Sequence, residues 1–414
     1  MADAIVVGAG IVGVSTAIHL QRMGMDVTLV DRRVPGEETS AGNSGIIVRE
    51  IFSPVTVPGD PWALAKVVFN QQMAVRYQPS FLLAILPWLA RVRREMRAGG
   101  VDRFVGAMSQ FARHAAGEHK ELAGQAGTTG YYRDGGWLRV YRTAKSYEAA
   151  QELRHQARVQ GVSYTVLEPG EIGEIEPDLR QDFFKAILFP ETVTANNPEA
   201  VTKGFAAAFS NFGGTFATAD AASLESDGEG AWSLQTSQGR IRAPQVVIAL
   251  GPWSSDVLGR LGYRFPFAVA RGYHLHLRAG GAARLRRPVV DVENGFVLSP
   301  MENGIRLTSG FEFAHRDAPP SPVQITAATF AARRLFPVAD AIDPEPWMGS
   351  RPLLPDSLPM IGAAPRHAGL WINTGHGQYG FTLGPVSGRL LAEMMCKRRT
   401  IVDPQPFDPV RYDR

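Results

Sequence analysis

Apolar positions come first as a short unbroken run, then at helical spacing, then as a second short run. Ile5, Val6 and Val7 make the first run, and Gly8, Gly10 and Gly13 interrupt it. Apolar residues then recur with a helical period as far as Met23, Gly24 ends that stretch, and Val27 to Val30 form a second run that stops at Asp31. Strands buried on both faces are apolar at every position, so the pattern predicts a parallel strand–helix–strand unit.

Helical spacing returns from about 61 to 124, with apolar periodicity in 62–77 and 104–122. Alternation predicts a strand over 136–141, and a helix with a polar face follows over 146–160. The next helix starts at Asn197 with Pro198 in its first turn and ends at Gly213–Gly214. Beyond it, 214–226 read as a strand, 227–230 as a turn and 232–241 as another strand, and the run Val246 to Leu250 closes at Gly251. From 263 to 337 the chain alternates, with Glu-Asn-Gly turns at 293–295 and 302–304, which predicts antiparallel hairpins. The C-terminal segment holds a strand, a glycine-rich loop and a helix expected to start near Pro385. The fold expected is α/β: a Rossmann-like body made of 1–70, 165–260 and 345–414, and an antiparallel-sheet body made of 71–164 and 261–344, with the chain crossing between them more than once.

Composition narrows the function classes. The 414 residues are 45% hydrophobic and 20% charged with a net charge of +3, ordinary for a globular chain and too weakly basic to imply a nucleic-acid partner. Cys396 is the one cysteine, so no internal disulfide forms, no zinc spacing is present and no metal is expected. Because the chain opens directly into a core strand, a cytoplasmic location is expected. The apolar stretch 81–90 is too short to span a bilayer and is interrupted by Pro87, but the basic run after it would suit burial against a neighbouring domain or peripheral contact with the inner membrane face.

The glycine pattern carries the first chemistry. Gly8 permits a tight strand-to-helix turn, Gly10 lets backbone approach a pyrophosphate, and Gly13 lets helix and strand pack closely, with the phosphates on the helix N-terminus. Asp31 is placed for an adenosine ribose. Arg32 and Arg33 would suit the 2′-phosphate of NADP, but the Asp31 carboxylate would repel it. In the loop that follows, Ser40, Asn43, Ser44 and Gly45 offer small polar groups and backbone N–H donors to a ligand, and Gly251 brings a second strand end toward the same place.

Five motifs in order, GAGIVG at 8–13, SAGNSG at 40–45, VVIALGPWSSDVL at 246–258, RPLLPDSLPMIG at 351–362 and GHGQYGFTLGP at 375–385, resemble the FAD-dependent D-amino-acid oxidase superfamily, nearest its bacterial D-amino-acid dehydrogenase members. The resemblance spans nearly the whole chain. It implies non-covalent FAD, with the ADP half on Gly8, Gly10, Gly13, Asp31 and Arg32 and a backbone contact from Ala221 to adenine. It places the isoalloxazine against Ser40, Asn43, Ser44, Gly45 and the loop containing Gly375, Gly377, Gly380 and Thr382, with a helix N-terminus near 384–386 facing the reduced ring.

The chemistry so implied is hydride transfer from the substrate Cα to flavin N5, giving a 2-oxo acid and ammonia, with no obligatory catalytic side chain. Arg351 matches the family position that binds the substrate carboxylate. Tyr273 is a second pocket candidate. Gln378 stands where glycine-oxidising relatives have arginine, so with His376 and Tyr379 it implies selection by uncharged groups. D-proline and hydroxyproline fall within the implied substrates, and the acceptor implied is a quinone, the respiratory chain or O₂. The other readings are an oxidase of glycine, sarcosine or a related secondary amine, and a tRNA-modifying flavoprotein, which needs a basic surface.

Overall fold

A computed structural model describes residues 2–413 except 98, 228 and 229, so the turn expected at 227–230 lies partly outside the described residues. The strand–helix–strand unit forms over Ala4–Val7, Ile11–Arg22 and Val27–Asp31. It sits in a six-stranded sheet ordered Thr215–Thr218, Val27–Asp31, Ala4–Val7, Gln245–Ile248, Leu370–Thr374, Met360–Ala363. Every neighbouring pair is parallel except the last. The strands are apolar at every position because both faces are covered. Ala4, Val6 and Leu29 pack with helices Ile11–Arg22 and Gly380–Met395, whereas Ile5, Val7 and Val30 pack with Trp232, Leu234 and Val257.

A second sheet of eleven strands carries the expected hairpins. Its core strand, Ala268–Ala279, pairs antiparallel with Gly304–Thr308, Phe311–Phe313 and Trp347–Leu353. Phe296–Met301 and Val289–Asp291 continue it to Trp137–Tyr141. One face is dry: Leu138, Val140, Tyr273, Leu277 and Leu307 pack with Ile325 and Ala328 of helix Val323–Ala332. The other face, which presents Trp137, Arg139, Gly272 and Thr308, lines a cavity shared with the six-stranded sheet.

Several expected elements change on folding. Thr165–Leu167 and Lys185–Phe189, expected with the Rossmann-like body, pair with each other, and Lys185–Phe189 pairs with Trp137–Tyr141 in the large sheet, where Trp347–Leu353 also belongs. The long helical tract is broken by the strand Val75–Tyr77, which extends the large sheet through Phe311–Phe313. The polar-faced helix is two helices, Ala144–Ala149 and Gln151–Val159. The stretch 232–241 is a hairpin of Trp232–Thr236 and Gly239–Ala243, and in 214–226 the strand Thr215–Thr218 gives way at Asp220, whose carboxylate caps a 3₁₀ turn.

Both expected proline breaks lie inside helices. Helix Leu82–Glu95 runs through Pro87, buries Ile85, Trp88 and Val92 against Phe313 and Leu353, and leaves Leu83 and Leu86 exposed. Leu83, whose carbonyl loses its helical partner at Pro87, lies on the solvent side. The C-terminal helix starts at Gly380, more than a turn before Pro385. The missing amide of Pro385 frees the Phe381 carbonyl, and His119 Nε2–H donates to it at 2.8 Å, while His119 Nδ1 accepts from the Tyr132 hydroxyl at 3.0 Å.

Burial holds the His119 pKa down to about 4, so the folded protein keeps this imidazole neutral. His119→Ala, which orphans a buried carbonyl, is expected to cost about 1–3 kcal/mol at neutral pH. The unfolded chain protonates this histidine below about pH 6.5 and the folded chain does not, so the His119 contribution is lost as pH falls from about 6.5 toward about 4. The stability gap between wild type and variant, read from denaturant melts, should therefore narrow across that window. A gap that widens toward acid contradicts this account.

Candidate active site

The glycine turn is fixed by its own crowding. Gly8 has φ +112°, and a Cβ there would lie 2.4 Å from the Ala249 carbonyl oxygen, while a Cβ on Gly13 would lie 1.8 Å from the Gly8 oxygen. Ser40 Oγ accepts from the Ile11 N–H at 3.0 Å and closes the cofactor-side loop onto the helix start. Asp31 Oδ2 accepts from the Ala9 N–H at 2.7 Å and Oδ1 from the Arg33 N–H at 3.1 Å, so each oxygen keeps a lone pair for a ribose hydroxyl. Arg32 pairs with Glu38 at 2.9 Å and lies 4.6 Å over the Trp253 ring, beside Ala221 and Gly251.

One cavity of about 1080 Å³ joins this turn to the large sheet. Its wall brings together Gly8, Gly10, Asp31, Arg32, Ser40, Asn43, Ser44, Ala221, Gly251, Arg351, His376, Gly377, Gln378, Gly380 and Thr382. Gly13, Gly45 and Gly375 stand behind it. Gly13 packs the helix on the turn, Gly45 is pressed against the Ala195 carbonyl, and Gly375 against Leu354. Thr382 Oγ1 donates to the Ile46 carbonyl at 3.0 Å, tying the first turn of the C-terminal helix to the loop. The helix N-terminus that faces the cavity is therefore formed by Gly380 to Thr382, not by 384–386.

Arg351 lies opposite Ala270 on the neighbouring strand, and its Nη1 donates to the Gly310 carbonyl at 3.1 Å. Its guanidinium is 4.8 Å over the Phe311 ring and flat against Gly272, where a Cβ would be 2.4 Å from Nη2. No acidic side chain pairs with it among the described residues, and burial pushes its pKa down to about 10. A desolvated cation without a counter-charge is costly, so this group is complementary to an anion in the cavity. His376 is held neutral, its pKa pushed down to about 3 by burial, and its Nε2 has no partner among the described residues. The Gln378 amide lies against Tyr379, whose phenol burial holds above its usual range.

Tyr273 borders the cavity beside Gly272, but its hydroxyl is engaged on the other face of the sheet. Strand alternation turns its side chain away from the Gly272 face into the apolar layer under Val323–Ala332. Its hydroxyl donates to Glu312 and accepts from the Ser321 N–H. Arg271 is spent on the same Glu312 at 2.7 Å. His274 stacks on Trp347 at 4.8 Å. His276 Nδ1–H donates to Asp343 at 2.8 Å, and its Nε2 accepts from Arg306 at 3.0 Å. That donation fixes the tautomer and sets a cation against the His274, His276 and Asp343 cluster, which therefore braces Arg306 and is a poor metal site. Arg306 in turn donates to the carbonyls of Ala41 and Asn43, holding the cofactor-side loop.

Sequence reasoning missed Arg306, Glu50, Trp137, Arg139 and Phe311. Glu50 is buried, its pKa raised by desolvation, and it accepts from Trp137 Nε1–H at 2.5 Å. The alternation of Trp137 and Arg139 was the only signal available for this end of the cavity.

The glycine turn with Asp31, and a guanidinium without an acidic partner among the described residues, lie on the walls of one cavity, which suits a dinucleotide and an anionic small molecule. Residues 3–394 match the DAO family, described as FAD dependent oxidoreductase. The D-amino acid dehydrogenase of Chromohalobacter salexigens is 30% identical over 99% of this chain and 99% of its own. That of Sinorhizobium medicae is 29% identical with the same coverage of both chains. Glycine oxidase from Geobacillus kaustophilus has the same fold, with a TM-score of 0.74, 21% identity and 98% of each chain covered. The protein belongs to the DAO family of FAD-dependent oxidoreductases.

Proposed function

We propose that this enzyme deaminates D-amino acids oxidatively, giving a 2-oxo acid and ammonia. The observation that carries the reading is Arg351, a guanidinium without an acidic partner among the described residues, on the wall of the cavity that also holds the glycine turn. Gly8, Gly10 and the start of helix Ile11–Arg22 would hold the pyrophosphate of FAD, and Asp31, Arg32 and Ala221 its adenosine. Ser40, Asn43, Ser44 and the segment Gly377 to Thr382 would hold its ring system. Bound there, FAD supplies a two-electron oxidant for the substrate Cα–H. Non-covalent binding is supported by Cys396, the sole cysteine, lying outside the cavity lining.

On this reading Arg351 grips the carboxylate and thereby orients Cα. Neutral His376 and Gln378 offer hydrogen bonds to the amine without a charge that would hold it as ammonium. Aromatic and aliphatic walls keep water from the reacting carbon. The six-stranded body carries the cofactor and the large sheet covers the substrate.

The acceptor we favour is a quinone at the inner membrane face. The cavity wall continues along Val67, Val68, Leu82, Leu86 and Leu89, and the helices that carry them expose Trp62, Leu83 and, just beyond, Phe69, with Arg91, Arg93 and Arg94 following. That combination of apolar and basic surface suits an anionic lipid interface. No helix among the described residues is long and apolar enough to cross a membrane.

One experiment tests substrate and acceptor together. With a long-chain quinone dissolved in anionic vesicles and air excluded, racemic amino acids should lose the D-enantiomer, with 2-oxo acid and ammonia formed in equal amounts. Consumption of the L-enantiomer contradicts the substrate class, and turnover only after air is admitted contradicts the acceptor.

A further inference from the structure

We infer that Arg139 selects substrates bearing a second anionic group, so that acidic D-amino acids are preferred over their neutral isosteres. The inference rests on the amino-acid reading above and deepens it.

Arg139 lies on the strand Trp137–Tyr141. Leu138 and Val140 enter the dry layer under helix Val323–Ala332, so alternation turns Arg139 to the cavity. Its neighbours across the sheet on that face are Val290 and Val297, both on the cavity wall. Its guanidinium carbon lies 5.6 Å from the Trp137 ring, and its Nε reaches the Tyr141 hydroxyl at 3.4 Å. Among the described residues no carboxylate forms an ion pair with it. Glu50, the acid whose charge it does feel, is already committed to the Trp137 Nε1–H and the Arg49 N–H.

Arg351 and Arg139, both on the large sheet, are two of the cavity-lining guanidinium groups that form no ion pair among the described residues; the others, Arg76 and Arg260, donate to the carbonyls of Asn70 and Ala221. Three strands, Gly304–Thr308, Phe296–Met301 and Val289–Asp291, separate the strand beside Arg351 from the strand that carries Arg139. One cation answers the α-carboxylate, which leaves the other for the side chain. An amide side chain would offer Arg139, beside apolar Val290 and Val297, one neutral carbonyl oxygen where a carboxylate offers two charged ones, so the site discriminates by charge and by bidentate pairing. Gln378 still argues against a second carboxylate clamp in the glycine loop; Arg139 places the second cation on the sheet instead.

The test compares kcat/KM for D-aspartate over D-asparagine and for D-glutamate over D-glutamine. Wild type should favour one or both acids by about tenfold or more. Arg139→Gln should bring that ratio near one, and Arg139→Lys should restore part of it, with retained yellow colour showing that each variant folds. Succinate or glutarate should raise the thermal midpoint of the wild-type holoprotein more than propionate or butyrate does, and this difference should vanish in Arg139→Gln. Equal rates on acids and amides in wild type, or an unchanged ratio in the variant, would overturn the inference. If no amino acid is oxidised at all, the proposed function fails, and the dicarboxylate shift still decides for or against Arg139.

Discussion

Gly10→Val is expected to purify as a folded, colourless protein. A Cβ at Gly10 would meet only Ser40 Oγ, at 3.2 Å, so the surrounding protein tolerates it, and the rest of a valine side chain would enter the cavity beside the turn. That is the space a pyrophosphate needs in order to reach the backbone N–H groups at the helix start. Gly8 is the contrasting case, because its positive φ and the 2.4 Å approach to Ala249 make any side chain a problem for the fold itself. Gly8→Val should therefore be recovered poorly, whereas Gly10→Val should keep its thermal transition and lose flavin absorbance. A Gly10→Val protein that stays yellow would contradict the binding mode.

Arg351→Ala should lose about a hundredfold or more in kcat/KM, because removing one partner of a desolvated charge pair costs about 3–5 kcal/mol. The guanidinium makes one hydrogen bond, to the Gly310 carbonyl, and no ion pair among the described residues, so the fold has little to lose. The loss should appear mainly in KM, with a smaller fall in kcat from the less well oriented Cα. Flavin retention and thermal stability should stay close to wild type. Kinetics that match wild type would remove Arg351 from the pocket and with it the main support for an amino-acid substrate.

The parts of the fold that depend on local pattern were legible. The run Ile5 to Val7, the glycines and Asp31 specify a unit whose chemistry lies within some thirty residues, and it formed as expected. Hairpins with Glu-Asn-Gly turns were equally clear, as the register Val290↔Val297 shows. Long-range pairing was not legible. Lys185–Phe189, which pairs with Trp137–Tyr141, and Thr165–Leu167, which pairs with Lys185–Phe189, are short apolar strands whose partners could be named only once the sheet had closed.

Proline was over-read as a stop signal for a related reason. The cost of Pro385 falls on the Phe381 carbonyl, and His119, far away in sequence, removes that cost. Within the site, motif residues converge on the cavity, and Tyr273 borders it with its hydroxyl committed to Glu312, because alternation gives two faces and only packing decides which one is wet. Arg139 and Arg306 carry no motif at all, and their significance comes from what they lack or brace in three dimensions.

Anaerobic reduction of the bound flavin by paired D- and L-amino acids tests the central claim most directly. The account predicts that D-enantiomers bleach the oxidised-flavin absorbance and that L-enantiomers, glycine and sarcosine leave it intact. Bleaching by L-enantiomers, or by glycine and sarcosine alone, would contradict it.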